Sequence, residues 1–326
     1  MSEHIEVSNM SILPLSCAGV GTLTVNVLFN AATEPGGSDY GVGVYVDGSF
    51  NTSLVPTVDG MTAFNVSLGG GNHAVDLWSS QVTYRRGAFV DSYSVDSGTV
   101  TVRAVAKPTR RMGALVDSIG CGAVASPATQ LGYLSRGRGV YPGRIAFLGW
   151  GGMSLYDHYN AWFPGKAPGG DGLGSMANLA ARLVATVQQD NPATRELWIA
   201  IGTNDATWGS QGRWSAANFG TAYGQLLDAI HALDPGIRVY AVSPLITGIE
   251  GLVNAFGDSP PAYRTEISNA AAARPTYVTY VHGPDMMAGN GLSGDSLHPT
   301  NTGHLACFNG TGAAAGSTNF RAVVSV

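Results

Sequence analysis

The chain has 326 residues, 44% of them hydrophobic, enough to bury a full core in one large domain or two smaller ones, so a disordered chain is excluded. Charged residues make up 12%, about half the usual share. The net charge is −5 and no basic run exceeds the pairs Arg85-Arg86 and Arg110-Arg111, which speaks against a nucleic-acid partner. In chain order, Met1 to Asn9 carries Glu3 and Glu6 and lacks a basic start with an apolar run, so no signal peptide is expected. No stretch reaches transmembrane length, and the sparse charge suits a secreted or particle-borne protein. Up to about residue 106 the apolar positions alternate: Leu23, Val25, Val27 and Phe29; Val42, Val44 and Val46; Phe64, Val66 and Leu68; Val75 and Leu77; Val100 and Val102. Period two predicts strands buried on one face, Asp47-Gly48 is a hairpin turn, and five or more such strands predict a small sandwich or jelly-roll.

After the linker Lys107 to Arg111 the pattern changes to alternating strands and helices. Met112 to Val116, Arg144 to Leu148, Glu196 to Ile201, Ile237 to Val242 and Thr276 to Val281 read as buried strands. Met176, Leu179, Ala180, Leu183, Val184 and Val187 follow helical spacing. So do Phe219 to Leu233, with Ser215 as cap and Pro235-Gly236 as stop. This predicts an α/β fold with a central parallel sheet covered on both faces, and chemistry at the carboxyl ends of its strands. The domains are thus expected at residues 1–107, a β-sandwich, and 108–326, an α/β half. Cys17, Cys121 and Cys307 sit at no metal-ligand spacing and read as three free thiols, with a single bridge as the alternative.

Three short motifs carry the chemistry. Val116-Asp117-Ser118-Ile119-Gly120 puts a serine on the turn after a strand. Ile201-Gly202-Thr203-Asn204-Asp205 puts an amide donor at the same end of another. Asp295-Ser296-Leu297-His298-Pro299 sets a carboxylate three residues before a histidine. A serine, a base, an orienting acid and an oxyanion donor are what attack on an ester carbonyl needs. A further backbone donor is expected in Gly149 to Ser154. Singly, each has a plainer reading: Ser118 as a helix cap, Asn204 as an Asx-turn, His298 as a loop residue capping the helix that starts near Thr300, the glycines as a turn. Asp157-His158 reads as structural, Cys121 as a small buried filler, and His298 with His304 lack a third metal ligand. Met286-Met287 either lines an acyl pocket or packs, and Trp150, Trp162 and Trp208 either stack on sugar rings or pack their loops.

In these motifs, over roughly residues 112–310, the chain resembles the SGNH/GDSL hydrolase superfamily. Ser118 matches the block I nucleophile, Gly152 the block II glycine (Gly151 if the register slips by one), Asn204 the block III asparagine, and Asp295 and His298 the Asp-x-x-His of block V. Val116 departs from the pattern, standing where block I usually begins with glycine, and block II lacks the common Asn before its glycine. The resemblance implies a three-layer α/β/α domain and a serine esterase: Ser118, Asp295 and His298 catalytic, and Ser118, Gly152 and Asn204 around the oxyanion. It implies no metal or organic cofactor. The leading β-region, with Asn72 to Leu77 and Phe89 to Val95, resembles two-domain carbohydrate esterases, which implies O-acetyl groups on a carbohydrate as substrate. The same chemistry fits a lipase, a thioesterase or an acyltransferase. A reading of another class makes the β-region a glycan-binding or particle-attachment module on a scaffold-only hydrolase domain.

Overall fold

The computed structural model describes residues 12–30, 41–56, 60–80, 87–104, 108–125, 132–137, 141, 144–149, 152–159, 176–189, 191–207, 212–287, 291–309 and 320–324. Among the described residues eight strands come first: β1 (Ile12–Ala18), β2 (Thr22–Asn30), β3 (Gly41–Val46), β4 (Ser49–Leu54), β5 (Gly60–Ser67), β6 (Asn72–Ser80), β7 (Gly87–Val95) and β8 (Thr99–Val102). They pair antiparallel in two sheets, ordered β4-β3-β6-β1-β8 and β5-β2-β7. Of the period-two residues, Leu23, Val25, Val27, Val42, Val44 and Val75 are fully sealed from solvent, whereas Val46, Phe64 and Val100 are half-buried and Val102 is exposed. Burying one such side chain contributes about 1.5–3 kcal/mol relative to leaving it exposed. Asp47 and Gly48 both take positive φ (51° and 79°), as the turn between β3 and β4 requires.

Five parallel strands follow among the described residues: β9 (Arg110–Val116), β10 (Arg144–Gly149), β11 (Thr194–Ala200), β12 (Arg238–Val242) and β13 (Val278–Val281), ordered β10-β9-β11-β12-β13. The helices are α1 (Tyr133–Arg136), α2 (Leu155–Tyr159), α3 (Met176–Gln188), α4 (Thr203–Thr207), α5 (Ala216–Leu233), α6 (Pro260–Ala272), α7 (Gly283–Met286), α8 (Asn301–Asn309) and α9 (Phe320–Val324). Alternate residues of one strand serve opposite faces. Leu197 and Ile199 pack with Leu183, Leu226 and Ile267 of α3, α5 and α6. Trp198 packs with Tyr133, Cys307 and Phe320 of α1, α8 and α9. Burial on both faces is why these strands read as continuous apolar runs. Ser215 caps α5 as expected, its Oγ accepting from Asn218 N at 3.3 Å.

The linker is shorter than the sequence reading has it. Arg110 and Arg111 already belong to β9, because the buried Glu196 of β11 accepts two bonds from Arg110 Nη2, at 3.0 and 2.8 Å. Cys17, Cys121 and Cys307 are buried free thiols. No helix among the described residues is long and apolar enough to cross a membrane.

Candidate active site

Sheet register brings the three motif segments to one level. Val116 pairs with Gly149 of β10 on one side and Ala200 of β11 on the other. Ser118 is two residues past the end of β9, Gly152 three past β10, and Asn204 four past β11. The strand order reverses at β9, and the crevice outside such a switch point is where open α/β sheets hold ligands. Val116 takes the space that the expected glycine would leave. Its side chain lies so close to Gly120 that a Cβ there would come within 3 Å of it, while a Cβ on Gly149 would first meet the Val116 backbone carbonyl.

Ser118, His298 and Asp295 form an unbroken chain of hydrogen bonds. Ser118 Oγ lies 2.8 Å from His298 Nε2, and His298 Nδ1 lies 2.6 Å from Asp295 Oδ2. With a carboxylate at Nδ1, the proton sits there and Nε2 offers its lone pair to the serine hydroxyl. The other carboxylate oxygen accepts from Ser293 Oγ (2.5 Å) and from the backbone N–H groups of Leu297 (2.9 Å) and His298 (3.0 Å). Partial burial works against ionisation of Asp295, but these bonds outweigh it and hold the carboxyl well below the usual carboxylate range. Ser296 bends the turn at a positive φ of 59°, and its carbonyl accepts from Gly248 N at 2.8 Å. The His298 side chain keeps 21% exposure, enough for water to reach it.

Gly152 turns at φ 81° just before α2. Asn204 lies in the one-turn helix α4 rather than in a loop, and one N–H of its amide donates to Met153 O at 2.9 Å. Asp205, fully buried, accepts from Leu155 N and Tyr156 N, both at 3.0 Å, and from Trp214 Nε1 at 2.8 Å. Burial pushes its carboxyl up to about 7 against the pull of those donors. Sequence reasoning gives Asp205 and Ser293 no part in the chemistry. The signal for Ser293 is a hydroxyl two residues before Asp295.

Asp117 is buried beneath the serine, accepting from Ile119 N at 3.0 Å, and burial pushes it up to about 6. A cavity of about 20 Å³, near the size of one water, is lined by Asp117, Tyr133, Thr203, Ser243, Leu245 and Met286. Met287 is fully packed. Both ring nitrogens of His304 are engaged: Tyr133 N donates to Nδ1 (3.4 Å) and Nε2 donates to Ala123 O (3.0 Å). Burial pushes this imidazole down to about 4. Asp157 is sealed in the interior, its carboxylate accepting from Ser154 Oγ at 2.7 Å. Trp150, Trp162 and Trp208 lie outside the described residues, as do Gly151 and the His158 side chain.

The sequence pattern of the GDSL-like lipase/acylhydrolase family matches residues 117–306, more than half of the chain. No curated protein matches by sequence. Among solved structures, the salicylyl-acyltransferase SsfX3 from a tetracycline biosynthetic pathway is similar with a TM-score of 0.68 at 16% identity, over 91% of this chain and 79% of that one. A family two carbohydrate esterase from Clostridium thermocellum in complex with cellohexaose gives 0.66 at 17% identity, over 92% and 89%. A family two carbohydrate esterase from Cellvibrio japonicus gives 0.64 at 18% identity, over 93% and 87%. At such identities the likeness is one of fold.

Proposed function

The chain belongs to the GDSL-like lipase/acylhydrolase family, and from that premise we propose that it is a serine esterase removing short acyl groups, acetyl foremost, from a carbohydrate. The observation that carries this reading is the relay from Asp295 through His298 to Ser118, with contacts of 2.6 and 2.8 Å. His298 Nε2 takes the hydroxyl proton as Ser118 Oγ attacks the ester carbonyl, and Asp295 stabilises the imidazolium that forms. The N–H groups of Ser118 and Gly152 and the second N–H of Asn204 receive the oxyanion. Loss of one such donor raises the barrier by roughly 3–4 kcal/mol. His298 then hands its proton to the departing alcohol. Water, deprotonated by the same nitrogen, cleaves the acyl-enzyme, and Ser118 regains its proton as the acid leaves.

In this reading residues 1–107 are a jelly-roll-like accessory domain and 108–326 the catalytic one. Two antiparallel sheets before Arg110 and a parallel sheet after it support the division. Acetylated carbohydrate is favoured because carbohydrate esterases share the fold along nearly the whole chain.

The test is release of p-nitrophenol from the acetate ester by the native protein and by Ser118→Ala, followed by esters of rising chain length and acetylated oligosaccharides. Turnover by the native protein and background rates in the variant are expected. Equal rates in both would mean another nucleophile. No turnover on any ester by the native protein would overturn the esterase reading, and ester formation on an added alcohol in preference to hydrolysis would make it an acyltransferase.

A further inference from the structure

The proposed oxyanion donors stand on opposite sides of the nucleophile. Gly152 follows β10 and Asn204 follows β11, and β9 lies between those strands. Two strands that flank a third are about 9–10 Å apart and exchange no sheet hydrogen bonds. β9 holds the two strand ends level, but both donors lie past the ladder, Gly152 three residues beyond β10 and Asn204 four beyond β11. A direct connection between those two segments, outside the ladder, would fix one donor relative to the other.

We propose that Asp205 is that connection, a positioning residue whose carboxylate bolts segment 152–156 to α4 and so fixes the Gly152 N–H relative to the Asn204 amide. The inference rests on the esterase reading for its consequence and on geometry for its substance. Oδ2 accepts from Leu155 N and Oδ1 from Tyr156 N, each at 3.0 Å. These are the first two amides of α2, which the helix itself leaves without partners. Next to them Asn204 Nδ2 donates to Met153 O at 2.9 Å, so α4 grips the segment by an acceptor and a donor at once. Trp214 Nε1 adds a third donor at 2.8 Å, and Arg213 N donates to Asp205 O at 2.8 Å, anchoring α4 from behind.

The chemistry of the site demands a carboxylate. Three N–H groups converge on two oxygens, and both oxygens accept. An amide of the same shape would turn an NH₂ toward either Leu155 N or the Tyr156 and Trp214 pair, setting donor against donor. A group that burial pushes up to about 7 is costly to keep ionised, and α2 already has a cap of its own, Ser154 Oγ accepting from Asp157 N at 3.1 Å. The carboxylate on the first two amides comes in addition to that cap, from the element that carries Asn204.

The test compares native protein, Asp205→Asn, Asn204→Ala and the double variant, all as full chains, on p-nitrophenyl acetate. Asp205→Asn is expected to lower kcat roughly 10–100-fold while KM stays within about twofold, since the loss falls on the transition state. In the Asn204→Ala background the same substitution should cost less than about threefold, because the two act through one hole. Hydrogen exchange read over 152–159 should lose protection in Asp205→Asn while β9, β11 and β12 keep theirs. This second readout stands even if the native protein hydrolyses no ester, in which case the esterase reading falls and the bolt is judged by exchange alone. Should Asp205→Asn fail to fold, Trp214→Phe removes a single donor and is expected to give a smaller kcat loss with the same coupling and the same loosened segment. Native kcat and native protection in a folded Asp205→Asn, or two losses that simply multiply, would overturn the proposal.

Discussion

His298 and His304 are six residues apart, and burial puts them to opposite uses. His298 keeps part of its ring in reach of solvent and holds a hydroxyl on one nitrogen and a carboxylate on the other. His304 is sealed, and its neutral ring ties α8 to the segment after Ser118 through Ala123 O and to α1 through Tyr133 N. Its folded pKa is depressed to about 4 from an ordinary 6.5. The unfolded chain therefore binds a proton there between pH 6.5 and 4 that the folded chain refuses, so this contribution is complete above pH 6.5 and drains away as pH falls to 4. Asp117 has the opposite sign, its pKa of about 6 lying above the unfolded value, and its contribution is lost as pH rises from about 4 to about 6. A His304→Gln variant keeps one donor and one acceptor without the titration. Its melting temperature should fall less steeply than that of the native protein between pH 6.5 and 4, and parallel curves would show that His304 does not contribute. At the proposed active centre, Asn204→Ala is expected to lower kcat by roughly 10²–10³-fold with the fold intact, measured on the acetate ester.

At the scale of elements, the turn after β9 shows how a departure from a motif is absorbed. Val116 is wholly buried where the family pattern has glycine, and a Cβ on Gly120 would lie 2.3 Å from Val116 Cβ. Gly120→Ala should therefore destabilise the protein by about 1–3 kcal/mol in urea unfolding. Adding Val116→Gly should return part of that loss, so the double variant should lie above the sum of the two singles; strict additivity would mean that the two side chains do not compete for the space. What was legible in the sequence follows the same logic of local pattern. β2 and β3 announce themselves because Leu23, Val25, Val27 and Val42, Val44, Val46 alternate, Ser118 and Asn204 because strand ends are where parallel sheets keep their chemistry, and His298 because a carboxylate stands three residues before it. β1 was hidden because Pro14 interrupts a run that lies centrally, between β6 and β8. The one-turn α4 is too short to show a period. α6 was hidden by the buried Arg264 in its apolar stripe, which reaches Glu250 and the carbonyls of Pro244 and Leu245. The role of Asp205 was invisible for another reason: two of its donors lie about fifty residues upstream, and only the fold brings them near.

For the molecule as a whole, the question is whether the antiparallel and parallel halves stand or fall together. One cluster of buried side chains holds Leu15, Val25 and Val44 from the first sheets together with Met112, Trp198 and Phe320 from the parallel sheet and its covering helices. Apolar burial is non-directional and scales with the area removed from water, so parting the halves exposes surface on both at once. Units linked only by a flexible, polar junction would melt separately, each with its own enthalpy. A shared apolar cluster couples their unfolding, and the native chain should give one calorimetric transition whose measured and van't Hoff enthalpies agree. The esterase rate, if the proposed function holds, should disappear along that same transition. Two resolved transitions, with activity following only the second, would show that the cluster does not couple the halves, and that residues 1–107 ride on the α/β half without helping to hold it together.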